Sequence, residues 1–205
     1  METRTAKRYE RLIRWKEERS QVKDKSEYDL LFLTHVDTFI KQCEKSLSML
    51  NNPYFDQWIE ETKETKLLCH QDYAAGNLAI GDDGHLYVFD MDSLTVDLPV
   101  IDIRKILNKV MKKGTGWDLQ LMLKMIKAYQ EVNPLTKEQY MILAADIQFP
   151  HLIYGQIKKY YRNKEPNWTV QKYISKLSEM TATELGKDTV LQGFITRLDE
   201  VIQHG

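Results

Sequence analysis

The apolar periodicity of this chain changes once and then changes back, and few folds accommodate that arrangement. Up to about residue 66 the apolar side chains recur at intervals of three and four, the spacing of helices that bury one face. Between residues 67 and 92 the runs become short and strand-like, and beyond Pro99 the helical spacing returns. The expected fold class is therefore α+β and mainly α, with one small β element set into a helical body.

Residues 4–19 alternate bases and acids around Tyr9, Leu12 and Ile13, a narrow stripe suited to a surface helix. From Ser26 the stripe of Phe32, Val36, Phe39, Ile40, Cys43, Leu47 and Leu50 predicts a better buried helix, with Cys43 as an inert core thiol. Asn51, Asn52 and Pro53 interrupt it, and residues 54–66 read as a third helix with Phe55, Trp58 and Ile59 inward. Leu67, Leu68 and Cys69 give a strand signal, a loop spans 70–76, and strand-like runs at 77–80 and 86–89 flank the turn Gly81-Asp82-Asp83-Gly84. Further helices are expected over 102–113, 117–132, 136–148, 151–163, 169–185 and 189–203, punctuated by Pro134, Pro150 and Pro166.

A length of 205 residues with 42% hydrophobic content suits one sizeable core and is short for two. Residues 1–205 are thus read as a single domain: helical over 1–66, loop and hairpin over 67–92, helical again over 102–205. The formal net charge of -1 offers no overall field for nucleic acid or an anionic membrane. Bases and aromatics do mix at 158–164, but Tyr154, Ile157 and Tyr161 sit at helical spacing, which reads as a half-buried helix with a solvated basic face. The N-terminal stretch is charged and lacks the apolar region of a signal peptide, and no apolar run approaches the ~20 residues of a membrane helix. Two cysteines without CxxC spacing argue against a disulfide scaffold or structural zinc and for a reducing compartment or simple burial.

The β element carries the polar residues that packing explains least. It reads Cys69-His70-Gln71-Asp72-Tyr73-Ala74-Ala75-Gly76-Asn77, then the hairpin, then Val88-Phe89-Asp90-Met91-Asp92, which fits HxDxxxxN followed by a strand ending in Asp. Phosphoryl transfer needs a carboxylate to accept or orient the attacking hydroxyl and oxygen ligands to hold Mg²⁺ across the phosphates. In this layout Asp72 is the candidate base and Asn77 and Asp90 the candidate metal ligands, with Asp92 a weaker addition. The alternative for all of them is a set of loop-capping residues in an inactive scaffold. Asp97, beside Pro99, reads as a local backbone acceptor.

This segment resembles the catalytic motif of aminoglycoside phosphotransferases and choline kinases, which share the protein-kinase-like fold. More narrowly, CHQDYAAGNL, LYVFDMDSLTVDLP and DIRKILNKVMKK resemble CotS-type spore coat proteins. The resemblance implies a kinase-like C-terminal lobe in which His70 supports the loop backbone, Asp72 is the base, and Asn77 and Asp90 hold Mg²⁺ with ATP if the protein is active. Asp102 matches the acidic residue that anchors the next helix against the catalytic loop, and its position before residues 103–113 also suits an N-cap. The resemblance further implies a spore coat component made in the mother-cell cytoplasm, with other coat proteins as partners.

A working enzyme of this kind also needs a Gly-rich turn and a strand lysine over the phosphates, both ahead of the loop. All nine glycines lie at or beyond Gly76, and residues 1–66 read as helix, so the N-terminal lobe is expected to be absent from this chain. The basic face of Arg4, Lys7, Arg8, Arg11 and Arg14 is read as a surface that such a lobe would have covered. Self-association through the uncovered upper face is a further expectation. Two functions stay open: a structural or assembly role in the coat, or a phosphotransferase that is complete only in a longer chain.

Overall fold

A computed structural model describes residues 2–114 and 116–203. Helix α1 (Glu2–Gln21) leads into α2 (Glu27–Leu50), which starts at a reciprocal capping box in which Ser26 and Asp29 exchange side-chain-to-backbone bonds. Asn52 caps α3 (Pro53–Thr65) by accepting from Phe55 N–H, with Pro53 in the first turn where its missing N–H costs nothing. The β element comprises β1 (Leu68–Cys69), β2 (Leu78–Ile80), β3 (Leu86–Val88) and β4 (Thr95–Val96). Then follow α4 (Val100–Met111), α5 (Leu119–Gln130), α6 (Lys137–Gln148), α7 (His151–Tyr161), α8 (Val170–Leu185), α9 (Lys187–Ile195) and α10 (Leu198–Gln203).

Two apolar clusters hold these helices together. One joins α3 to α4, α5, α6, α9 and α10 through Phe55, Val100, Leu107, Met122, Tyr140 and Phe194. The other joins α1, α2, α7 and α8, and it is rich in aromatics: Tyr28 stacks on Tyr160 at 3.7 Å between ring centres, and Trp15 meets Tyr154 and Tyr161. The aromatics of the basic stretch at 158–164 are therefore spent on packing and are not presented for base stacking. Cys43 lies fully buried in the same cluster, and burial pushes its thiol up to about 12, so it is inert.

The helical expectations need three changes. Helix α4 begins at Val100, two residues before the expected start, because the carbonyl of Pro99 already accepts from Asp102 and Ile103 N–H. Asp102 thus sits in the first turn and is not the N-cap. The single helix expected over 189–203 is two, α9 and α10, with the ladder tightening between them where Arg197 N–H turns to the Phe194 carbonyl three residues back. Part of the basic face of α1 is engaged within the chain: Arg8 Nη1 donates to His151 Nδ1 at 3.1 Å and Arg11 Nη1 to the Tyr154 hydroxyl at 3.0 Å, both on α7, while Arg4, Lys7 and Arg14 stay exposed.

Strands β2 and β3 pair antiparallel, with Leu78 opposite Val88 and Ile80 opposite Leu86, around a turn closed by Gly84 N–H on the Gly81 carbonyl. Gly84 adopts a φ of 76°, a left-handed conformation that glycine takes without strain. Strand β4 was not expected; it pairs antiparallel with β1, Leu68 opposite Val96 and Cys69 opposite Thr95. A two-residue strand offers no periodicity to read, so only its partner reveals it. The β element buries little: Leu68, Ile80, Leu86, Phe89 and Met91 all remain largely exposed.

Candidate active site

The loop between β1 and β2 is held by residues that arrive from helix α4. Asp102 accepts from His70 N–H at 2.7 Å and from Gln71 N–H at 2.8 Å, so one carboxylate satisfies two successive backbone donors. Lys105 Nζ donates to the Gln71 carbonyl and, at 2.7 Å, to its side-chain Oε1. Gln71 adopts a φ of 66°, a left-handed conformation that a non-glycine residue keeps only under such restraint. The anchoring role of Asp102 stands, although its helix-capping role does not.

His70 is buried and bonds the backbone on both sides. Its Nδ1 accepts from Asp72 N–H at 3.2 Å, and its Nε2 lies 2.9 Å from the Phe89 carbonyl. A ring nitrogen that accepts from an amide carries a lone pair, so Nε2 holds the proton and donates it. The histidine thereby ties the loop to the far end of the hairpin and is supportive, as expected.

Asp72 is half-exposed and both of its oxygens are engaged. Oδ1 is 2.5 Å from Lys109 Nζ, again from α4, and Oδ2 accepts from Asn77 Nδ2 at 3.2 Å. The hydrogen bond from Lys109 holds its carboxyl below the usual carboxylate range, so it is ionised at neutral pH. Asn77 ends a short 3₁₀ turn (Ala75–Asn77) and does not begin the strand, a shift of one residue from expectation. Its Nδ2 also donates to the Asp72 carbonyl at 3.0 Å, which leaves Oδ1 as the atom available to a cation.

Asp90 follows β3 directly. Phe89 N–H donates to the Asn77 carbonyl at 2.9 Å, so the hairpin sets Asn77 beside the residue that precedes Asp90. Asp90 has a φ of 61° and ψ of 66°, after Gln71 a second left-handed non-glycine position at the edge of the loop. Among the described residues nothing hydrogen-bonds its side chain or that of Asp92, which lies in the 3₁₀ turn Met91–Ser93. Asp97 is a backbone acceptor, taking Leu98 N–H at 3.0 Å, and its other oxygen accepts from Gln71 Nε2.

The donor set fits Mg²⁺ in one way only. No cluster of three or more His, Cys, Asp or Glu residues suited to a metal occurs among the described residues, so an all-protein cage is ruled out there. One amide oxygen and one free carboxylate at a loop edge suit instead a cation shared with phosphate oxygens, the usual habit of Mg²⁺. Bound there, Mg²⁺ would neutralise charge on a transferring phosphoryl group. Under the loop, on the far side of β1, an apolar cavity of about 790 Å³ is bordered by Leu68, Cys69, Tyr73, Asp102, Ile106 and Tyr129. Burial pushes the Cys69 thiol there up to about 12, which makes it a packing group and not a nucleophile.

The motif residues Asp72, Asn77 and Asp90 are thus brought to one edge, as the spacing required. What it could not supply is Lys105 and Lys109, which carry the loop from a helix more than thirty residues away in sequence. Their spacing of four on α4 was the one visible hint.

Known proteins agree with this geometry. An aminoglycoside phosphotransferase from Alicyclobacillus acidocaldarius superposes with a TM-score of 0.80 over all of this chain and 59% of its own, at 17% identity, which shows the fold alone. Spore coat protein S of Bacillus subtilis is 36% identical over 160 residues, 78% of this chain. The chain spans 45% of that relative's length. A family model described as spore coat putative kinase YutH matches residues 3–194. The helical body, the kinase-like loop and this near-complete match together place the chain in the spore coat putative kinase YutH family, on the scaffold shared by CotS-type proteins and aminoglycoside phosphotransferases.

Proposed function

We propose that these 205 residues serve as a structural or assembly component of the spore coat, built on a phosphotransferase scaffold. One observation carries the reading. Among the described residues everything ahead of β1, from Glu2 to Thr65, is three helices, so the Gly-rich turn and strand lysine that phosphoryl transfer requires are not among them. Positioning and electrostatics supply nearly all of that catalysis, and residues 2–203 hold only the loop side of it. Other coat proteins are the proposed partners, and the exposed apolar residues Leu68, Ile80, Leu86 and Phe89 give them, or a second copy of the chain, a surface to cover. Spore coat protein S, by its name, belongs to the same setting.

Expression of a tagged chain in a sporulating host tests this. Label at the spore surface, unchanged by Asp72→Asn, is the expected result; label confined to the mother-cell cytoplasm would overturn the reading.

A second reading has its own observation: among the described residues Asn77 Oδ1 and the Asp90 carboxylate have no partner, beside an ionised Asp72. It makes the chain the acceptor-side half of an ATP-dependent phosphotransferase, with a small-molecule or protein hydroxyl as substrate. Calorimetric titration of Mg²⁺-ATP decides between the two. Saturable binding abolished by Asp90→Ala would transfer the conclusion to the phosphotransferase, whereas no binding by a folded chain leaves the scaffold in place.

A further inference from the structure

The face of α4 beside the one that holds the catalytic loop opens on a different kind of site. A cavity of about 280 Å³ lies between α1, α4 and α7 and is lined by Arg4, Arg8, Arg104, Lys105, Lys158 and Gly155. Among the described lining residues five cations face a single carboxylate, Asp146; that carboxylate is already engaged, and of the five Lys105 is held by the Gln71 oxygens. Asp146 Oδ2 accepts from Arg104 Nε at 3.0 Å and its Oδ1 lies 2.9 Å from His151 Nε2, with the side chain 2% exposed. His151 adds no negative charge, and because its Nδ1 accepts from Arg8 Nη1, the ring is neutral with its proton on Nε2.

The remaining donors point to a ligand. Arg104 has no described partner for its two terminal nitrogens, and Lys158 makes no hydrogen bond or ion pair among the described residues. Arg4 has only Asp97, at 3.9 Å. Gathering like charges in a half-buried space is unfavourable unless something of opposite sign joins them. Burial, and then the neighbouring Arg104, hold Arg8 below its ordinary value; burial, and then Arg162 and Arg8, do the same to Lys158. These groups gain from an anion beyond those that the described residues supply.

The glycine adds an independent observation. Gly155 lies in the interior of α7, where glycine costs roughly 1 kcal/mol relative to alanine. A Cβ built there would meet nothing within 4 Å, so no neighbour in the chain demands its absence. What a side chain at 155 would occupy is the cavity itself.

We propose that this cavity is a binding site for a compact phosphate dianion, either inorganic phosphate or the phosphate group of a small phosphomonoester. Two guanidinium groups with free N–H forks match phosphate oxygens in pairs, and a lysine supplies a third contact. The volume falls just below the ~300 Å³ at which pockets begin to hold drug-sized molecules, so there is room for the phosphate and a small organic remainder. The site is separate from the loop carboxylates and does not depend on whether the chain transfers phosphoryl groups. It touches the loop through α4, since Lys105 lines the cavity and also donates to Gln71, and through Arg4, whose partner Asp97 accepts from the Gln71 side chain.

The test is titration of inorganic phosphate, and separately of glycerol 2-phosphate, into the full chain at constant ionic strength, followed by calorimetry and by NMR shifts. Saturable binding is expected. Lys158→Gln should weaken it about tenfold, the effect of one lost charge-assisted contact. Gly155→Leu should abolish it while leaving the melting temperature at or above that of the parent, because the substitution favours the helix and fills only the cavity. Tighter binding of the ester identifies a phosphomonoester as the natural ligand, and equal binding identifies the free ion; either upholds the site. No saturable binding of either compound up to about 10 mM, far above the range of a specific site, would overturn the proposal. So would binding that both variants leave unchanged, which would put the anion elsewhere on the surface.

Discussion

The two sides of α4 meet charge in opposite ways. Toward the loop the helix presents Asp102, Lys105 and Lys109, and each finds a partner there: two amides, the Gln71 oxygens and the Asp72 carboxylate. Toward α1 and α7 it presents Arg104, which joins Arg4, Arg8 and Lys158 around one buried and fully engaged carboxylate. The charges that α4 turns to the loop are all paired, whereas its cavity side is in cationic excess. A closed arrangement holds a conformation, whereas an excess of one sign awaits a ligand.

The sharpest way to break the contrast is to remove the carboxylate that anchors the cavity side. Asp146→Ala leaves Arg104 and its neighbours without a counter-charge and should cost about 3–5 kcal/mol, read from denaturant unfolding. A loss below about 1 kcal/mol would mean the cations are solvated and the cavity side is no different from ordinary surface.

Acid should expose the same side next. Burial, reinforced by Arg104, pulls His151 down to about 4, whereas an unfolded histidine titrates near 6.5. Between those values the unfolded chain binds the extra proton and the folded one does not, so stability falls as pH drops from about 6.5 to 4, by roughly 3 kcal/mol. Burial alone would raise the Asp146 carboxyl, but Arg104 and then His151 outweigh it and hold it well below the usual range, so its own loss comes only below about pH 4. His151→Gln should flatten the upper part of this decline, and an unchanged profile in that variant would remove the histidine as its cause.

On the loop side the effects are smaller. Asp102→Ala strands the His70 and Gln71 amides and should cost about 2–3 kcal/mol, with faster hydrogen exchange confined to those amides and their neighbours. Uniform acceleration across the chain would contradict a local anchor. Lys109→Met should be milder still, at most about 1 kcal/mol, because its partner Asp72 is half-exposed. The informative readout is the Asp72 carboxyl, which should titrate higher once the hydrogen bond from Lys109 is gone. A carboxyl that does not move would assign its low value to Asn77 instead.

Much of this was legible beforehand. The capping residues Ser26, Asn52, Thr136 and Thr169 mark helix starts by a local rule, in which a side-chain oxygen meets an N–H two or three residues on. The hairpin turn and the order of Asp72, Asn77 and Asp90 along the chain were equally plain, because a tight turn returns the strand within a few residues. Where the expectations failed, the partner was remote. Strand β4 has no pattern of its own, Asp102 looked like a cap until the loop was seen to occupy it, and Arg8 and Arg11 of α1 looked like open surface until α7 engaged them.

The sequence by itself determined the helical body, the single β element and the family's loop motif, since all of these rest on periodicity, turn chemistry and spacing within one segment. Only the tertiary structure decided which charges are spent and which are left over. Arg4 and Arg8, Arg104 and Lys105, and Lys158 belong to three helices far apart in the chain, and an overall charge of -1 hides their convergence. Charge acts through distance in space, and packing alone brings those helices within reach of one another.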